Sequence, residues 1–308
     1  MMINLKNHNL LLRKEIIMPI YGEDSYENCL VELFSDVLGY SHVYGPNVER
    51  DLHSPLYNSV LEESIFRINP KASSQGISEA LQKLRNFENA DLVKKNALFM
   101  DYLQNGIEVS FSQNGQIESE IIYIVDFQNI NNNSFIVANQ WTFIENSNKR
   151  PDILIFLNGI PICLFELKSP SREQTDASEA YTQIRNYMQE IPSMFIYNCI
   201  CVMSDQLTSK AGTITSGEDR FMEWKTKDGN IESKSFADFT TFFEGIFQKD
   251  EKIIPVEVKA EENLRAKSLR QFVLDHPDTK GIRFSMSPYR KQDWMTNIPL
   301  YAVHKVLL

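Results

Sequence analysis

Residues 151–168 read PDILIFLNGIPICLFELK, and this stretch decides which fold the chain can adopt. Two apolar runs rich in Ile, Leu and Phe flank an Asn-Gly pair, which is a strong signal for a β-hairpin. Its charged side chains stand at the open end of the hairpin: Asp152, Glu166 and Lys168. Charges are costly to bury unless they are paired or bind a metal. The pattern therefore indicates a divalent-metal site for phosphodiester hydrolysis, and a merely solvated strand end is the alternative.

The geometry of the turn decides whether Asp152 can share a metal with Glu166. Glu166 and Lys168 are two positions apart on one strand and therefore share a face. A tight two-residue turn would pair Asp152 with Phe165 and put it on the opposite face. A type I turn followed by a glycine bulge shifts the register by one and pairs Asp152 with Leu164, on the face of Glu166. A shared metal site therefore predicts the bulged turn, or a compensating irregularity elsewhere in the hairpin.

Length and composition allow one large domain, or a main domain with a smaller appendage, in 308 residues. No apolar run approaches the roughly twenty residues of a membrane span, and the start lacks a clear signal peptide. The four cysteines have no zinc-site spacing, and the five histidines are scattered. We therefore expect a cytoplasmic protein with reduced thiols and no membrane partner.

The net charge of −10 weighs against a high intrinsic affinity for DNA, since that affinity comes mainly from Lys and Arg against phosphates. A nuclease of this charge would need its basic residues close to the site, or DNA delivered by another subunit. Besides Lys168, the basic side chains predicted to contact DNA are Lys149, Arg150, Arg172 and Arg185.

Periodicity predicts an α/β (α+β) chain in which helices flank a central mixed β-sheet. Residues 24–38 have the pattern of an amphipathic helix that ends at Gly39. Period-two segments from residue 107 onward predict an antiparallel meander that leads into the hairpin. A helix over 173–189 and a buried strand over 195–203 follow, and the small C-terminal segment is expected to be mostly helical.

Two positions admit both a structural and a functional interpretation. Glu27 lies in the first turn of its helix, where it could complete a capping box with Asp24 or reach the metal site from a neighbouring helix. Gln183 and Tyr187 are four residues apart and share a helix face. Either Tyr187 is a half-buried aromatic and Gln183 a surface polar residue, or both face the acidic site.

Several of these motifs together resemble a known family. The segments Pro151-Asp152 and Glu166-Leu167-Lys168 match the pattern of the PD-(D/E)xK nuclease superfamily. With Asn139-Gln140 and the residues around the hairpin, they are similar to the N-terminal nuclease region of the restriction (R) subunit of type I restriction-modification enzymes. Gln183 and Tyr187 match the Gln-x-x-x-Tyr motif of that region. The similarity extends over roughly residues 20–230.

The resemblance implies a restriction-endonuclease-like core and Mg²⁺-dependent cleavage of DNA with little intrinsic sequence specificity. It implies that Asp152 and Glu166, with the main-chain carbonyl of Leu167, bind Mg²⁺. Lys168 would orient the attacking water or stabilise charge on the phosphate. Three further side chains would support the site: Gln183, Tyr187 and, as an auxiliary acid, Glu27. The implied partners are DNA and the modification methyltransferase and specificity subunits of a restriction complex.

The resemblance also implies an organisation along the chain. Residues 1–20 are expected to be a lead-in segment, 21–245 the endonuclease domain, and 246–308 a connector toward an ATP-dependent motor domain that is absent here. The chain has no Gly-x-x-x-x-Gly-Lys-Ser/Thr loop, so ATP is expected to bind only in a full-length subunit. Two other functions remain open: a non-catalytic docking or scaffold module of the same complex, and a PD-(D/E)xK nuclease of DNA repair.

Overall fold

The structure, a computed structural model, describes residues 23–88, 90–113, 116–168, 177–205, 208–223, 242–243, 246–247, 256–259, 267–275, 280–285 and 290–299. By their contacts these residues form two compact units: the larger contains those up to Glu223 together with Phe242 and Phe243, and the smaller contains the rest. The lead-in segment 1–20 and Arg172 lie outside the described residues.

The larger unit contains six α-helices and eleven strands among its described residues. The helices are α1 (Glu23–Glu32), α2 (Asn58–Ile68), α3 (Ser74–Arg85), α4 (Leu92–Asn105), α5 (Ala177–Glu190) and α6 (Pro192–Phe195). The strands are β1 (Ser41–Tyr44), β2 (Ile107–Gln113), β3 (Gln116–Ile122), β4 (Phe135–Asn139), β5 (Phe143–Ile144), β6 (Asn148–Lys149), β7 (Ile153–Leu157), β8 (Ile160–Leu167), β9 (Ile200–Ser204), β10 (Ser209–Gly212) and β11 (Met222–Glu223).

The central sheet has seven strands in the order β1-β4-β7-β8-β9-β10-β11. The pairs β1/β4 and β8/β9 are parallel and the other pairs are antiparallel. This mixed sheet with its flanking helices confirms the predicted α/β class, and the arrangement is consistent with a restriction-endonuclease-like core. No helix in the described part of the chain combines the length and apolar character needed to cross a membrane.

Helices cover both faces of the sheet near the hairpin. On one face Leu154, Leu164 and Cys201 are in register and belong to the same buried cluster as Ala180 and Ile184 of α5. On the other face the ring of Phe165 lies 5.7 Å from that of Phe34, in the π-helical turn that follows α1. Side chains at the open end of β7 and β8 are therefore enclosed between two helical layers.

The helix predicted over 24–38 is observed as α1 and the π-helical turn Leu33–Val37, and Gly39 ends it with φ +69°. The predicted strand over 195–203 is shorter, because α6 occupies its first position and β9 begins only at Ile200. The expected meander is also wrong in part: β2 and β3 form a separate two-stranded sheet, and β4 is the strand that pairs with β7. The inward side chains of β2 pack in one buried cluster with α3, and Ile160 of the hairpin belongs to the same cluster.

The smaller unit contains a helix, α7 (Lys267–Asp275), and strands β12 (Val256–Lys259), β13 (Gly281–Ser285), β14 (Arg290–Lys291) and β15 (Met295–Pro299). These strands form one sheet in the order β12-β13-β15-β14. The prediction of a mostly helical C-terminal segment is wrong for the residues that the structure describes. Charged residues there alternate with apolar ones, as in Val256–Lys259, and this period of two fits a strand.

Candidate active site

The turn of the β7–β8 hairpin is the tight two-residue form. Leu157 pairs with Ile160, and the two turn residues have φ +52° at Asn158 and +79° at Gly159. Two positive φ values are the mark of a type I′ turn, for which Asn-Gly is the preferred sequence. The predicted glycine bulge in the turn is therefore wrong.

Neighbouring segments enforce this turn. The fully buried side chain of Asn158 accepts a hydrogen bond from the Ser134 N–H at 2.7 Å and donates to the Ile124 carbonyl at 2.9 Å. A Cβ atom at Gly159 would lie 2.6 Å from the carbonyl oxygen of Tyr57, so only glycine fits against the start of α2.

The register shift that the site requires occurs further along β8. Phe156 pairs with Pro161, whereas Ile155 pairs with Cys163, so Ile162 is an extra residue in β8. Beyond this bulge Ile153 pairs with Phe165. The next position in the ladder therefore sets Asp152 opposite Glu166, and the two side chains share a face.

The sequence contains a signal for this bulge. β8 is a central strand, between β7 and β9, and Pro161 has no N–H to donate to the sheet. A proline in such a strand is found at bulges. Pro161 immediately precedes the extra residue. The proline therefore predicts an irregularity in the strand rather than in the turn.

The three predicted catalytic side chains come together at the end of β8. Oδ2 of Asp152 accepts a hydrogen bond from the Leu167 N–H at 2.7 Å, which links the two strands at their open end. The Lys168 ammonium lies 2.5 Å from Oε1 of Glu166, and these side chains are 17% and 5% exposed. The low exposure means that each charge depends on its neighbours rather than on water.

Helix α5 brings both members of the Gln-x-x-x-Tyr motif toward these carboxylates. Tyr187 is buried in the cluster that includes Leu164, one helical turn from Gln183. Burial first, and then the negative charges of Glu166 and Asp152, raise the pKa of the Tyr187 phenol well above its ordinary value, while a hydrogen bond with Gln183 lowers it. The phenol therefore stays protonated and can donate a hydrogen bond. Of the two interpretations, the one in which this pair faces the acidic site fits the geometry.

Glu27 approaches from the other side of the sheet. Its carboxylate is buried and accepts hydrogen bonds from Nδ2 of Asn139 at 2.8 Å and from Nε2 of Gln140 at 2.8 and 3.0 Å. These amides lie at the end of β4, and the Gln140 N–H donates to the Asp152 carbonyl at 3.4 Å. Glu27 thus contacts the surroundings of the site through two amides, and its carboxylate is not used in a capping box.

The basic residues predicted to contact DNA have different environments. Lys149 forms an ion pair of 2.7 Å with Glu190 at the end of α5. Arg185 is exposed but donates to the Ile214 carbonyl at 2.9 Å. Arg150 is exposed next to the Pro-Asp step of the hairpin. Of the three, Arg150 is the nearest in sequence to the open end of the hairpin.

The donor set at this end fits a hard divalent cation. It offers carboxylate oxygens of Asp152 and Glu166 on one face, and Mg²⁺ prefers oxygen ligands. Within the described ranges no three His, Cys, Asp or Glu side chains are grouped to bind one ion, so Glu27 does not complete such a set. The predicted ligands therefore remain the two carboxylates with the carbonyl of Leu167.

Sequence reasoning missed the partners of Glu27. Asn139 and Gln140 are part of a sequence motif, but nothing in their spacing indicates a contact with a residue 112 or 113 positions earlier. Only the fold brings the first helix to the end of β4.

Comparison of the amino-acid sequence with known proteins identifies relatives of this chain. Residues 20–220 match the family model of the type I restriction enzyme R protein N terminus. The type I restriction enzyme HindI endonuclease subunit of Haemophilus influenzae is 31% identical over 201 residues, which cover 62% of this chain and 19% of that protein. The protein MjaIXP of Methanocaldococcus jannaschii is 34% identical over 209 residues, 65% of this chain and 20% of its own length.

A third relative, the type I restriction enzyme EcoprrI endonuclease subunit of Escherichia coli, is 28% identical over 222 residues, which cover 64% of this chain and 69% of that relative. The matched region thus spans about a fifth of the first two relatives. In all three comparisons it takes up about two thirds of this chain.

Proposed function

Because this chain belongs to the family of type I restriction enzyme R protein N-terminal regions, we propose that the open end of its β7–β8 hairpin hydrolyses DNA phosphodiesters. The observation that carries the proposal is the bulge at Ile162, which sets Asp152 opposite Glu166. Without that extra residue the two acids would lie on opposite faces of the sheet. Two relatives are named as endonuclease subunits of type I restriction enzymes, and these names support a nuclease function in general terms.

Each residue of the site would have its own role in the reaction. Asp152, Glu166 and the carbonyl of Leu167 would bind Mg²⁺, which, when bound, polarises the scissile phosphate and activates a water molecule. The Leu167 N–H fixes Oδ2 of Asp152 and so orients that carboxylate. Lys168 would place its ammonium beside the phosphate, where negative charge grows in the transition state.

The supporting residues would act on these groups. Tyr187, which stays protonated, would donate a hydrogen bond toward the carboxylates, and Gln183 would keep the phenol in place. Glu27 would serve as an auxiliary acid behind the site. Arg150 would contact the DNA backbone, with Lys149, Arg172 and Arg185 as further contributors.

The rest of the assembly also belongs to the proposal. A net charge of −10 suits a nuclease whose DNA is delivered by other subunits. We therefore propose a cytoplasmic restriction complex in which modification and specificity subunits select the DNA. ATP-driven motor activity would reside in a full-length R protein, with the region after residue 245 leading toward it.

In-cell restriction of unmethylated phage DNA tests the proposal. Asp152→Ala and Lys168→Ala would be placed in a full-length R protein that carries this region, with its partner subunits supplied. Lys94→Ala is the matched control, because Lys94 is a 77% exposed lysine on α4. We expect both site variants to lose restriction while ATP hydrolysis is retained, and the control to restrict normally.

Two other results would contradict the proposal. Restriction that survives both changes would mean that the hairpin is structural, and a docking or scaffold role in the same complex would replace the proposal. Cleavage that needs neither ATP nor partner subunits would instead favour a repair nuclease of the same superfamily.

A further inference from the structure

Gln140 lies where the strand geometry of β4 breaks. Successive side chains of a strand point to opposite faces of the sheet. Yet the amides of Asn139 and Gln140 both donate to the carboxylate of Glu27, at distances between 2.8 and 3.0 Å. The backbone of Gln140 has φ +54°, in the left-handed region. This conformation redirects the second amide, so that two consecutive residues reach one carboxylate.

The surroundings fix this unfavourable conformation. A non-glycine residue adopts a left-handed φ only at an energetic cost, and such residues cluster at functional sites. Gly45 packs directly on this peptide, since a Cβ atom there would lie 2.4 Å from the Gln140 carbonyl oxygen and 2.9 Å from the Cα of Trp141. The Gln140 N–H donates to the carbonyl of Asp152 at 3.4 Å.

The chemistry of the contact suits a buried carboxylate. Glu27 is 7% exposed and Asn139 is 5% exposed, so hydrogen-bond donors must replace the water that Glu27 has lost. Amides supply donors without adding a charge. Oδ1 of Asn139 lies 2.9 Å from Nε2 of His42, and this contact assigns the NH₂ group of Asn139 to Glu27.

We propose that Gln140 is a positioning residue for this site, because it holds the carboxylate of Glu27 with its side chain and the backbone of Asp152 with its N–H. The inference rests on the proposed nuclease function and deepens it. In this proposal Gln140 would act on neither the phosphate nor Lys168 directly. It acts through Glu27 and Asp152, which it ties to each other across the end of the sheet.

Gln140→Gly tests this role in a full-length R protein assembled with its partner subunits. Glycine can adopt the left-handed backbone without strain, and it removes the whole side chain together with its amide. Loss of such an outer partner typically lowers activity or metal affinity by about 10- to 100-fold, and we expect that fall in the rate of DNA cleavage. The Mn²⁺ affinity of the chain, measured by calorimetry, should fall as well, while the melting temperature changes by a few degrees at most.

Three further variants make the result specific. Gln189→Gly removes an amide from an exposed position of α5 and should change neither the cleavage rate nor the Mn²⁺ affinity. Asparagine tolerates the left-handed conformation but has a shorter side chain than glutamine. The cleavage rate and Mn²⁺ affinity of Gln140→Asn should therefore lie between those of the parent and of Gln140→Gly. In a Glu27→Gln background, Gln140→Gly should have little additional effect, since the two residues act as a unit.

The inference is overturned if Gln140→Gly cleaves DNA and binds Mn²⁺ like the parent. It is also overturned if the effects of Gln140→Gly and Glu27→Gln multiply, because Gln140 would then act independently of Glu27. Asp152→Ala distinguishes the two levels of proposal. If it cleaves like the parent, the nuclease function fails and this inference with it; if it is inactive while Gln140→Gly is active, only the positioning role fails.

Discussion

Lys168 and Glu166 form an ion pair with side chains that are 17% and 5% exposed, and at that burial each charge depends on the other. Removing one partner of a buried pair is strongly destabilising because it leaves an uncompensated charge, whereas replacing both is often close to neutral. The same pair that would serve catalysis therefore also affects folding stability.

We predict that Lys168→Met lowers the free energy of unfolding by about 3 kcal/mol. The double variant Lys168→Met with Glu166→Gln should recover most of that loss, because no buried charge is left alone. Urea unfolding of the parent, both single variants and the double variant gives the coupling energy. A double variant no more stable than Lys168→Met would contradict the prediction.

Residue identity alone makes Asp152, Glu166 and Lys168 candidates, because charged groups are costly to bury in an apolar hairpin. It was not enough for Glu27, whose environment is supplied by amides more than 110 positions away along the chain. A capping role and a role near the site start from the same local pattern. Only the packing of α1 against the end of β4 distinguishes them.

At the scale of elements, the β7–β8 hairpin has a closed end fixed by buried contacts and an open end that carries charge. The closed end depends on Asn158, whose side chain satisfies a backbone N–H of Ser134 and a backbone carbonyl of Ile124. The part-buried N–H of Ser134 and the buried carbonyl of Ile124 would lose this partner if the side chain were removed.

We predict that Asn158→Gly lowers the free energy of unfolding by about 2–4 kcal/mol through those lost hydrogen bonds. Asn158→Ala should cost about 1 kcal/mol more, since alanine must also adopt φ +52°. Denaturant midpoints of the two variants separate the two contributions. Equal stabilities would mean that the backbone conformation at this position is unstrained.

The hairpin also shows where sequence-based prediction of this element succeeds and fails. The strands, the turn position and the need for a shift of one residue follow from the pattern 151–168. The location of the shift does not, because a bulge in the turn and a bulge in the strand put Asp152 on the same face. Asn-Gly favours the tight turn and Pro161 favours an irregular strand, and both local preferences are satisfied in the structure.

At the scale of the whole molecule, the mixed α/β class followed from periodicity, whereas the C-terminal segment did not. A short strand such as Val256–Lys259 has two apolar and two charged residues, and so few positions distinguish a strand from a helix poorly. The larger unit offers longer patterns and a buried core.

That core includes four tyrosines whose burial, above all other causes, raises their pKa: Tyr26, Tyr40, Tyr187 and Tyr197.

We predict that the protein loses stability steeply above pH 10, the ordinary pKa of tyrosine. Unfolded tyrosines release their protons there while the folded ones keep theirs, so the unfolded state binds fewer protons and stability falls as pH rises. Each tyrosine contributes up to about 1.4 kcal/mol per pH unit. Below pH 10 this contribution to stability is fully present.

Urea midpoints measured at pH 9, 10 and 11 check this prediction of alkaline unfolding. Tyr197→Phe should flatten the dependence, since one of the four buried phenols is then absent. Tyr123→Phe, at a tyrosine that is 49% exposed, is the control and should leave the dependence unchanged. A midpoint that stays constant from pH 9 to 11 would refute the prediction.

Because Ile162 is one extra residue in β8, the number of unpaired residues decides whether the two acids share a face. With a two-residue turn, Asp152 and Glu166 share a face only if an odd number of unpaired residues lies between them. Evolution can therefore move the bulge to another position in either strand, or lengthen the hairpin by whole pairs, and keep the site. A single insertion or deletion in the same interval would separate the acids without altering either of them, so among homologues the spacing should vary in steps of two.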